Sequence, residues 1–248
     1  IDLTGKDWTP IGTDYDNSYK GTFDGGGHTI TGLTFTTNDE YAGLFGWLNR
    51  AGTVKNVVME GVQITSNQIY GGSIGGVVGS GWGTIENCSV SGSVSGTVYV
   101  GGVVGVQIGG SITGCSSSAT VKGTVDVGGV AGQTNSSATL TACYATGNVT
   151  IEIAPKKNIA GGGLVGMNAG SSLLACYATG NVTSTGSSTG YVHIGGFLGD
   201  NYNTTVTACY WKNNHEQGIG YKKAGTVTEV TKVDGTGVTW QKAVDAMN

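Results

Sequence analysis

The sequence predicts an all-β protein, a parallel β-helix (a right-handed solenoid) of about six coils. A glycine-doublet motif returns at spacings of 33, 26, 27, 34 and 33 residues, and a period in this range is typical of solenoids and propellers. The segments after each motif alternate apolar and polar residues, as strands do. No amphipathic helical stripe lies between them, which excludes a βαβ fold. The copies are AGLFG at Ala42, GGVVG at Gly75, GGVVG at Gly101, GGVAG at Gly128, GGLVG at Gly162 and GGFLG at Gly195.

The composition narrows the possible partners. The chain has 248 residues, 47 of them glycine, and only 11% are charged, against roughly a quarter in ordinary soluble domains. Two prolines and an apolar fraction of 38% argue against disorder. The net charge of -4 includes no Lys/Arg cluster, so nucleic acid and anionic membranes are poor partners. No apolar run is long enough for membrane insertion.

The five cysteines recur once per repeat. They follow the last five motifs, and the first repeat has Val57 at the same position. An odd, evenly spaced set fits neither a disulfide framework nor a zinc site, which needs close pairs. We therefore expect no metal or other cofactor, and we interpret the cysteines as buried apolar residues in one column: Cys88, Cys115, Cys143, Cys176 and Cys209.

The residues that follow each cysteine define two faces of a strand. From Cys143, alternate positions are small and apolar as far as Ile151, whereas Tyr144 and the positions between are polar or aromatic. Cys88, Val90, Gly92 and Val94 repeat the pattern. A single repeat cannot bury its apolar face, but stacked copies can. A propeller blade needs about 40 residues, so the spacings favour the β-helix.

The two ends depart from the repeat, and we expect them to cap one solenoid domain that spans residues 1–248. Residues 1–40 carry Ile30, Leu33 and Phe35 at alternating positions and would cover the first sheet edge. Residues 41–211 form the repeats. Residues 212–248 would cap the far end with a short helix that places Trp240, Ala243, Val244 and Met247 on one face. Because the chain starts at Ile1, we also expect it to be a mature or trimmed fragment.

The repeat resembles the GLUG-motif family of bacterial secreted and cell-surface proteins. The stretch GGLVGMNAGSSLLACYATGNV (Gly162 to Val182) is nearest to the family pattern, and the resemblance covers roughly Ala42 to Trp211. The leading segments at Trp8 to Gly12 and Phe23 to Leu33 resemble those of Bacteroidetes members. The resemblance implies an extracellular, adhesin-like β-helix, often part of a longer surface protein, with no catalytic residues to carry over.

Two short motifs invite an enzymatic interpretation. GGSIG (Gly71 to Gly75) fits the serine nucleophile elbow, but that elbow needs a strand-to-helix turn. GGGLVG at Gly161 fits a dinucleotide-binding pattern, but no helix follows to receive a phosphate. We interpret both as chance matches within glycine-rich strands.

The carboxylates test whether the chain is a carbohydrate-active enzyme, because parallel β-helices include polysaccharide lyases and hydrolases. No register position is shared by Glu60, Glu86 and Asp200. One position is shared by Asp126 and His193, but these residues are two coils apart and the coil between them has Ala160 there. A glycosidase needs two carboxylates within about 5 to 10 Å. We interpret these side chains as exposed and solvated and expect no enzyme, with a polysaccharide lyase or glycoside hydrolase as the alternative.

Tyr144, Tyr177 and Tyr210 each directly follow a cysteine, so they should point outward from successive coils and stack at about the 4.8 Å strand spacing. Such a ladder could simply stabilise the sheet. It could also bind sugar rings or a protein partner. The sequence therefore predicts a non-enzymatic surface module that is a monomer or part of a larger protein. Its candidate ligand residues are these tyrosines, and its partner is a host or dietary glycan or a surface protein.

Overall fold

The computed structural model describes residues 1–223, 225–227 and 230–247. Their strands form four sheets, and all the strand pairs are parallel and join equivalent positions of successive repeats. A propeller would instead pair the strands within one blade, so the predicted parallel β-helix of about six coils is confirmed. One coil passes through the four sheets in turn, which we number in that order.

The first sheet contains Thr22–Asp24, Thr53–Lys55, Thr84–Glu86, Ser111–Thr113, Thr139–Thr141, Ser172–Leu174, Thr204–Thr207 and Gly225–Val227. The second contains Thr29–Thr31, Thr34–Thr37, Val58–Ser66, Ser89–Ser95, Ser116–Ser117, Thr120–Gly123, Tyr144–Ala145, Val149–Ile153, Tyr177–Ala178, Val182–Gly186, Cys209–Trp211 and Val230–Lys232. The third contains Tyr41–Ala42, Ser73–Gly75, Val98–Gly101, Val125–Gly128, Ile159–Gly162 and Val192–Gly195. The fourth contains Phe45–Leu48, Val78–Gly81, Val104–Gln107, Ala131–Asn135, Val165–Ala169, Leu198–Tyr202 and Ile219–Lys222.

The corner between the first and second sheets is made by one residue in the left-handed conformation. This residue precedes the cysteine, or Val57, in every repeat, and its φ lies between 49° and 62°. Asparagine and glycine adopt this conformation readily, whereas alanine does so at a cost. The corner residues are Asn56, Asn87, Gly114, Ala142, Ala175 and Ala208.

The cysteines face the core, as predicted. All five are free thiols with at most 1% of their surface exposed, and the backbone N–H of Cys143 points at Sγ of Cys176 at 3.4 Å. The predicted alternation holds for the apolar residues beyond them but fails at the glycines. Gly92 is exposed at a register shift of its strand, and Gly147 lies between two strands instead of inside one.

The GG-x-x-G motif forms the corner between the third and fourth sheets, where backbones approach too closely for side chains. A Cβ added to Gly129, the second glycine of its motif, would lie 2.5 Å from Cβ of Ala145 across the core. A Cβ at Gly199, the last glycine of its motif, would lie 2.5 Å from the backbone N of Gly161. The glycines of the motif are therefore required because there is no room for side chains where the backbones pack together.

The N-terminal residues form a partial coil over the first repeat. Thr22–Asp24 and Thr29–Thr31 pair with strands of the next coil, and the indole N–H of Trp8 donates to the carbonyl oxygen of Gly43 at 3.2 Å. Of the three apolar residues expected to face inward, Ile30 and Leu33 are buried and Phe35 is half-buried.

The predicted C-terminal helix spans Trp240–Met247. Ala243 is fully buried in a small cluster with Ala208, Tyr210 and Val233, and Trp240 and Met247 pack against that cluster. Val244 was expected on the same face but is 41% exposed. A helix this short contacts the sheet along one narrow line, and Val244 falls beside it.

Candidate ligand-binding surfaces

The three predicted tyrosines occupy one outward column of the second sheet. Tyr144 pairs in register with Tyr177, and Tyr177 with Tyr210. The rings of Tyr144 and Tyr177 stack with centroids 4.8 Å apart and planes 3° from parallel, which is the geometry that the strand spacing imposes. The stacked arrangement expected from sequence is therefore present for this pair.

The expectation of a continuous exposed strip is wrong at Tyr210. Only 5% of Tyr210 is exposed, because the C-terminal helix covers it. Trp240 of that helix contacts Tyr177 edge-on at 5.5 Å between ring centroids, and Tyr177 is half-buried. Tyr144 remains 36% exposed and is the most accessible ring of this column.

A hollow lies beside the free face of Tyr144. The preceding coils carry serine in this column, since Tyr144 pairs with Ser116 and Ser116 with Ser89. The missing rings leave a hollow of about 240 Å³ that is walled by Tyr144, with Ser91, Ser118 and Thr146 beside it and Glu60 at its far side. The hollow combines one flat apolar wall with several hydroxyl groups.

A second surface, which we call the groove, lies between the outward columns of the third and fourth sheets. Its broad part is a cavity of about 410 Å³ lined by residues of both columns. The in-register pairing of the strands continues both columns into the later coils. The third-sheet column is Tyr41, Ser73, Tyr99, Asp126, Ala160 and His193. The fourth-sheet column is Trp47, Ser80, Val106, Gln133, Met167, Asp200 and Tyr221.

The early end of the groove is aromatic. Tyr41 lies edge-on to Trp47 with centroids 4.5 Å apart, and Trp47 lies 5.5 Å from Trp82. Tyr15 contacts both tryptophans and is 60% exposed. Aromatic faces and edges of this kind pack well against the apolar faces of ligands.

The late end of the groove holds a His–Asp pair. Nδ1 of His193 lies 2.6 Å from Oδ1 of Asp200, whose side chain is 1% exposed, and the imidazole itself is 21% exposed. The ring stacks between Tyr191 and Tyr221 at centroid distances of 4.5 and 4.6 Å. Burial raises the pKa of Asp200, while the charge of His193 and its hydrogen bond oppose that rise. A buried carboxylate in this position fixes the orientation of the imidazole.

Asp126 is a buried carboxylate without a partner among the described residues. It is 6% exposed, and neither an ion pair nor a hydrogen bond to its carboxylate is made within that part of the chain. Burial, and secondarily the charge of Asp200, raise its pKa to about 7. Asp126 and Tyr99, opposite each other on adjacent strands, both take the left-handed conformation with φ of 51° and 49°.

The interpretation of these groups as exposed and solvated is therefore wrong for Asp126 and Asp200. It fails because the GG-x-x-G corner folds the chain back, so that His193 and Asp200 meet although they are seven residues apart. Ala160, which the sequence suggested as a separator, is too small to insulate Asp126 from the later coils. The signal available in the sequence was the placement of His193 and Asp200 on the two flanks of one motif. Glu60 is exposed, Glu86 is half-exposed, and they lie on other sheets.

The two enzyme-like motifs occupy ordinary strands. Ser73 is 3% exposed in the strand Ser73–Gly75, and the next element is the strand Val78–Gly81. Gly161 lies in the strand Ile159–Gly162, and the next element, Val165–Ala169, is also a strand. Neither motif has the helix that its chemistry requires.

The described ranges 1–223, 225–227 and 230–247 contain no group of three or more His, Cys, Asp or Glu side chains placed to hold a metal ion. The helix in these ranges is not long and apolar enough to cross a bilayer.

Comparison with protein families identifies GLUG motifs in this chain. The model described as "The GLUG motif" matches residues 70–95 and 96–122. The resemblance to GLUG-repeat proteins is thereby confirmed, and the matched residues are the two shorter repeats, which carry Cys88 and Cys115.

Two relatives match part of the chain. Halomucin of Haloquadratum walsbyi is 38% identical over 102 residues, which are 41% of this chain and 1% of halomucin. A protein of Evansella cellulosilytica, provisionally named a Gly-rich membrane protein, is 37% identical over 93 residues, or 36% of this chain and 10% of that protein. The chain thus spans only a small part of the length of these relatives.

One solved structure has the same fold. It is a protein of Bacteroides ovatus, provisionally named an immunoglobulin A1 protease, with a TM-score of 0.72 and 22% sequence identity. The match covers 94% of this chain and 75% of that one. At this identity the likeness concerns the fold alone.

Proposed function

We propose that this chain is a non-enzymatic, adhesin-like module of an extracellular or cell-surface protein, and that it binds glycans in the hollow beside Tyr144. Its GLUG motifs and the names of its relatives, halomucin and a Gly-rich membrane protein, support the location. A rigid solenoid is suited to display, because each coil holds its outward side chains at fixed spacing.

The observation that carries the proposal is the end of the tyrosine ladder. Tyr177 covers one face of the Tyr144 ring at 4.8 Å, and the other face looks towards Ser116, where the ladder has no further ring. A saccharide ring can stack there in place of the missing tyrosine, while the hydroxyl groups of Ser89, Ser116 and Ser118 offer hydrogen bonds. The entropy cost is small because the stacked sheet already fixes the Tyr144 ring.

A second candidate function, a carbohydrate-active enzyme, is favoured by one observation. The buried Asp200 holds His193 at 2.6 Å at one end of the groove columns, which also carry Asp126, a carboxylate with no partner among the described residues. An imidazole oriented by a carboxylate is a common general base. This candidate requires bond cleavage in the groove, whereas the first requires only binding beside Tyr144.

The experiment that separates the two functions combines a glycan array with an assay for reducing-sugar release. The purified chain is applied to host and plant polysaccharides, together with Tyr144→Ser and the control Leu174→Ser. Leu174 is also an exposed apolar side chain, at 46%, but it lies on the first sheet. We expect array signals that Tyr144→Ser loses and Leu174→Ser keeps, without release of reducing ends. Cleavage that depends on His193 would favour the enzyme, and equal binding by both variants would reject the Tyr144 site.

A further inference from the structure

We propose that the groove between the third and fourth sheets is a second, independent site, and that it binds a glycan carrying a free primary ammonium group through Asp126. Asp126 is the centre of this site. It lies on the groove column between Ala160 and Tyr99, the latter lining the cavity, and only 6% of the residue is exposed.

A buried carboxylate without a partner is costly, because the charge loses its hydration and gains nothing in return. Asp126 receives no ion pair or hydrogen bond from the described residues. The negative charge of a second carboxylate, Asp200, also repels the charge of Asp126. A ligand cation would remove both penalties at once, and a hydroxyl group alone would not.

The walls around Asp126 favour an organic ammonium over a bare metal ion. In the described ranges, Asp126, Asp200 and His193 are not placed to hold a metal together. The charge of Asp126 contributes to raising the pKa values of Tyr99 and Tyr191, after the larger effects of burial on both rings and of Asp200 on Tyr191. Tyr99 lies opposite Asp126 on the adjacent strand, and aromatic rings attract ammonium groups.

The rest of the groove favours a saccharide chain as the carrier of that group. Beyond Tyr99 the groove continues along Ser73, Ser80 and Gln133 to the aromatic cluster at Trp47 and Tyr41. Aromatic rings alternating with hydroxyl and amide groups suit the faces and hydroxyls of sugar rings. A free amino sugar supplies the ammonium group at the Asp126 end. The groove and the Tyr144 hollow are lined by different residues.

The test uses two matched probes, glucosamine oligomers and N-acetylglucosamine oligomers of equal length, titrated against the whole chain by calorimetry. Acetylation removes the positive charge and leaves the sugar backbone unchanged. We expect the free amine form to bind at least about tenfold more tightly than the acetylated form. Asp126→Asn should abolish that preference, because the amide keeps the shape of the carboxylate without its charge.

Two controls keep the outcomes distinct. Glu216→Gln removes one charge from a side chain that is 89% exposed and should leave the preference intact. Tyr144→Ser should also leave it intact, so that failure of the Tyr144 site and failure of the groove site are separable. Equal affinity for the two oligomers, or an unchanged preference in Asp126→Asn, would overturn the proposal. A lysine-rich peptide that binds through Asp126 while glucosamine oligomers do not would overturn the saccharide assignment.

Discussion

The rings of Tyr144 and Tyr177 lie 4.8 Å apart and within 3° of parallel, on adjacent coils of one sheet. The stack of rings extends no further in either direction. On one side the C-terminal helix covers Tyr210, and on the other side the column continues with Ser116. Only one ring face of the ladder is therefore open beside a hollow. Tests of the fold and tests of binding both follow from this arrangement.

The first prediction concerns the helix that covers Tyr210. Ala243 is fully buried against Tyr210 and Val233, so Ala243→Arg should place a charge in an apolar contact and undock the helix. We expect faster proteolysis after residue 233 and a change in tyrosine and tryptophan fluorescence. Val244→Arg, at a position 41% exposed on the same helix, should change neither. Identical behaviour of the two variants would mean that the helix does not dock as described.

The second prediction concerns the cysteine column. All five thiols are free and at most 1% exposed. The pKa of Cys143 is raised well above the usual value, first by its hydrogen-bonding with Cys176 and then by burial. A thiol reagent should therefore react slowly with the folded chain and reach five per chain in denaturant. Two disulfides, or rapid labelling of the folded chain, would contradict the column.

The third prediction concerns the left-handed corner at Ala142, which is exposed and has a φ of 53°. Ala142→Gly should raise the free energy of unfolding by about 0.5–1 kcal/mol, because glycine adopts this conformation without steric cost. Ala145→Gly, at a buried strand position nearby, should lower it by about 1 kcal/mol. Urea unfolding of both variants measures the difference. A loss of stability in Ala142→Gly would reject the assigned corner.

The fourth prediction concerns pH. Burial and the charge of Asp200 raise the pKa of Asp126 to about 7, from an unfolded value of 3.8. The folded chain then binds the proton more tightly than the unfolded chain, so this residue lowers the free energy of unfolding as pH rises from about 4 to about 7. Asp126→Asn removes the effect. The stability gained by the variant should be larger at pH 8 than at pH 5, by at most about 2.5 kcal/mol.

Urea unfolding of parent and variant at the two pH values checks this directly. Asp200 and His193 also face this end of the groove and are present in both proteins, so the comparison isolates Asp126. A gain that is the same at both pH values would show that the Asp126 carboxylate is hydrated or paired in the folded chain.

The sequence predicted the solenoid because its packing is local and periodic. Each cysteine and each glycine doublet contacts the equivalent residues one coil later. The spacing of the repeats along the sequence therefore predicts most of the contacts between coils. The left-handed corner was not predicted, because Asn56 and Ala142 share no side-chain property that marks it. The exceptions at Gly92 and Gly147 were missed for a related reason, since a glycine at an inward position is equally compatible with a bulge.

The candidate sites were less predictable, because they depend on contacts between different sheets. The burial of Tyr210 depends on Trp240 and Ala243, which lie 30 and 33 residues later in the sequence. The meeting of His193 with Asp200 depends on the fold-back of the glycine corner, which alternation alone does not reveal. The hollow beside Tyr144 could have been anticipated, because Ser89 and Ser116 stand where the later repeats have tyrosine.

The most direct test of the account is a titration of Tyr144 variants with the best glycan from the array. Tyr144→Phe keeps the ring and loses the hydroxyl group, whereas Tyr144→Ser loses the ring and restores the residue found in the shorter repeats. If a sugar stacks on the free face of Tyr144, the phenylalanine variant should bind within about threefold of the parent. The serine variant should bind at least about tenfold more weakly, with its melting temperature nearly unchanged. A serine variant that binds as tightly as the parent would contradict the account, because the open end of the ladder would then play no part in recognition.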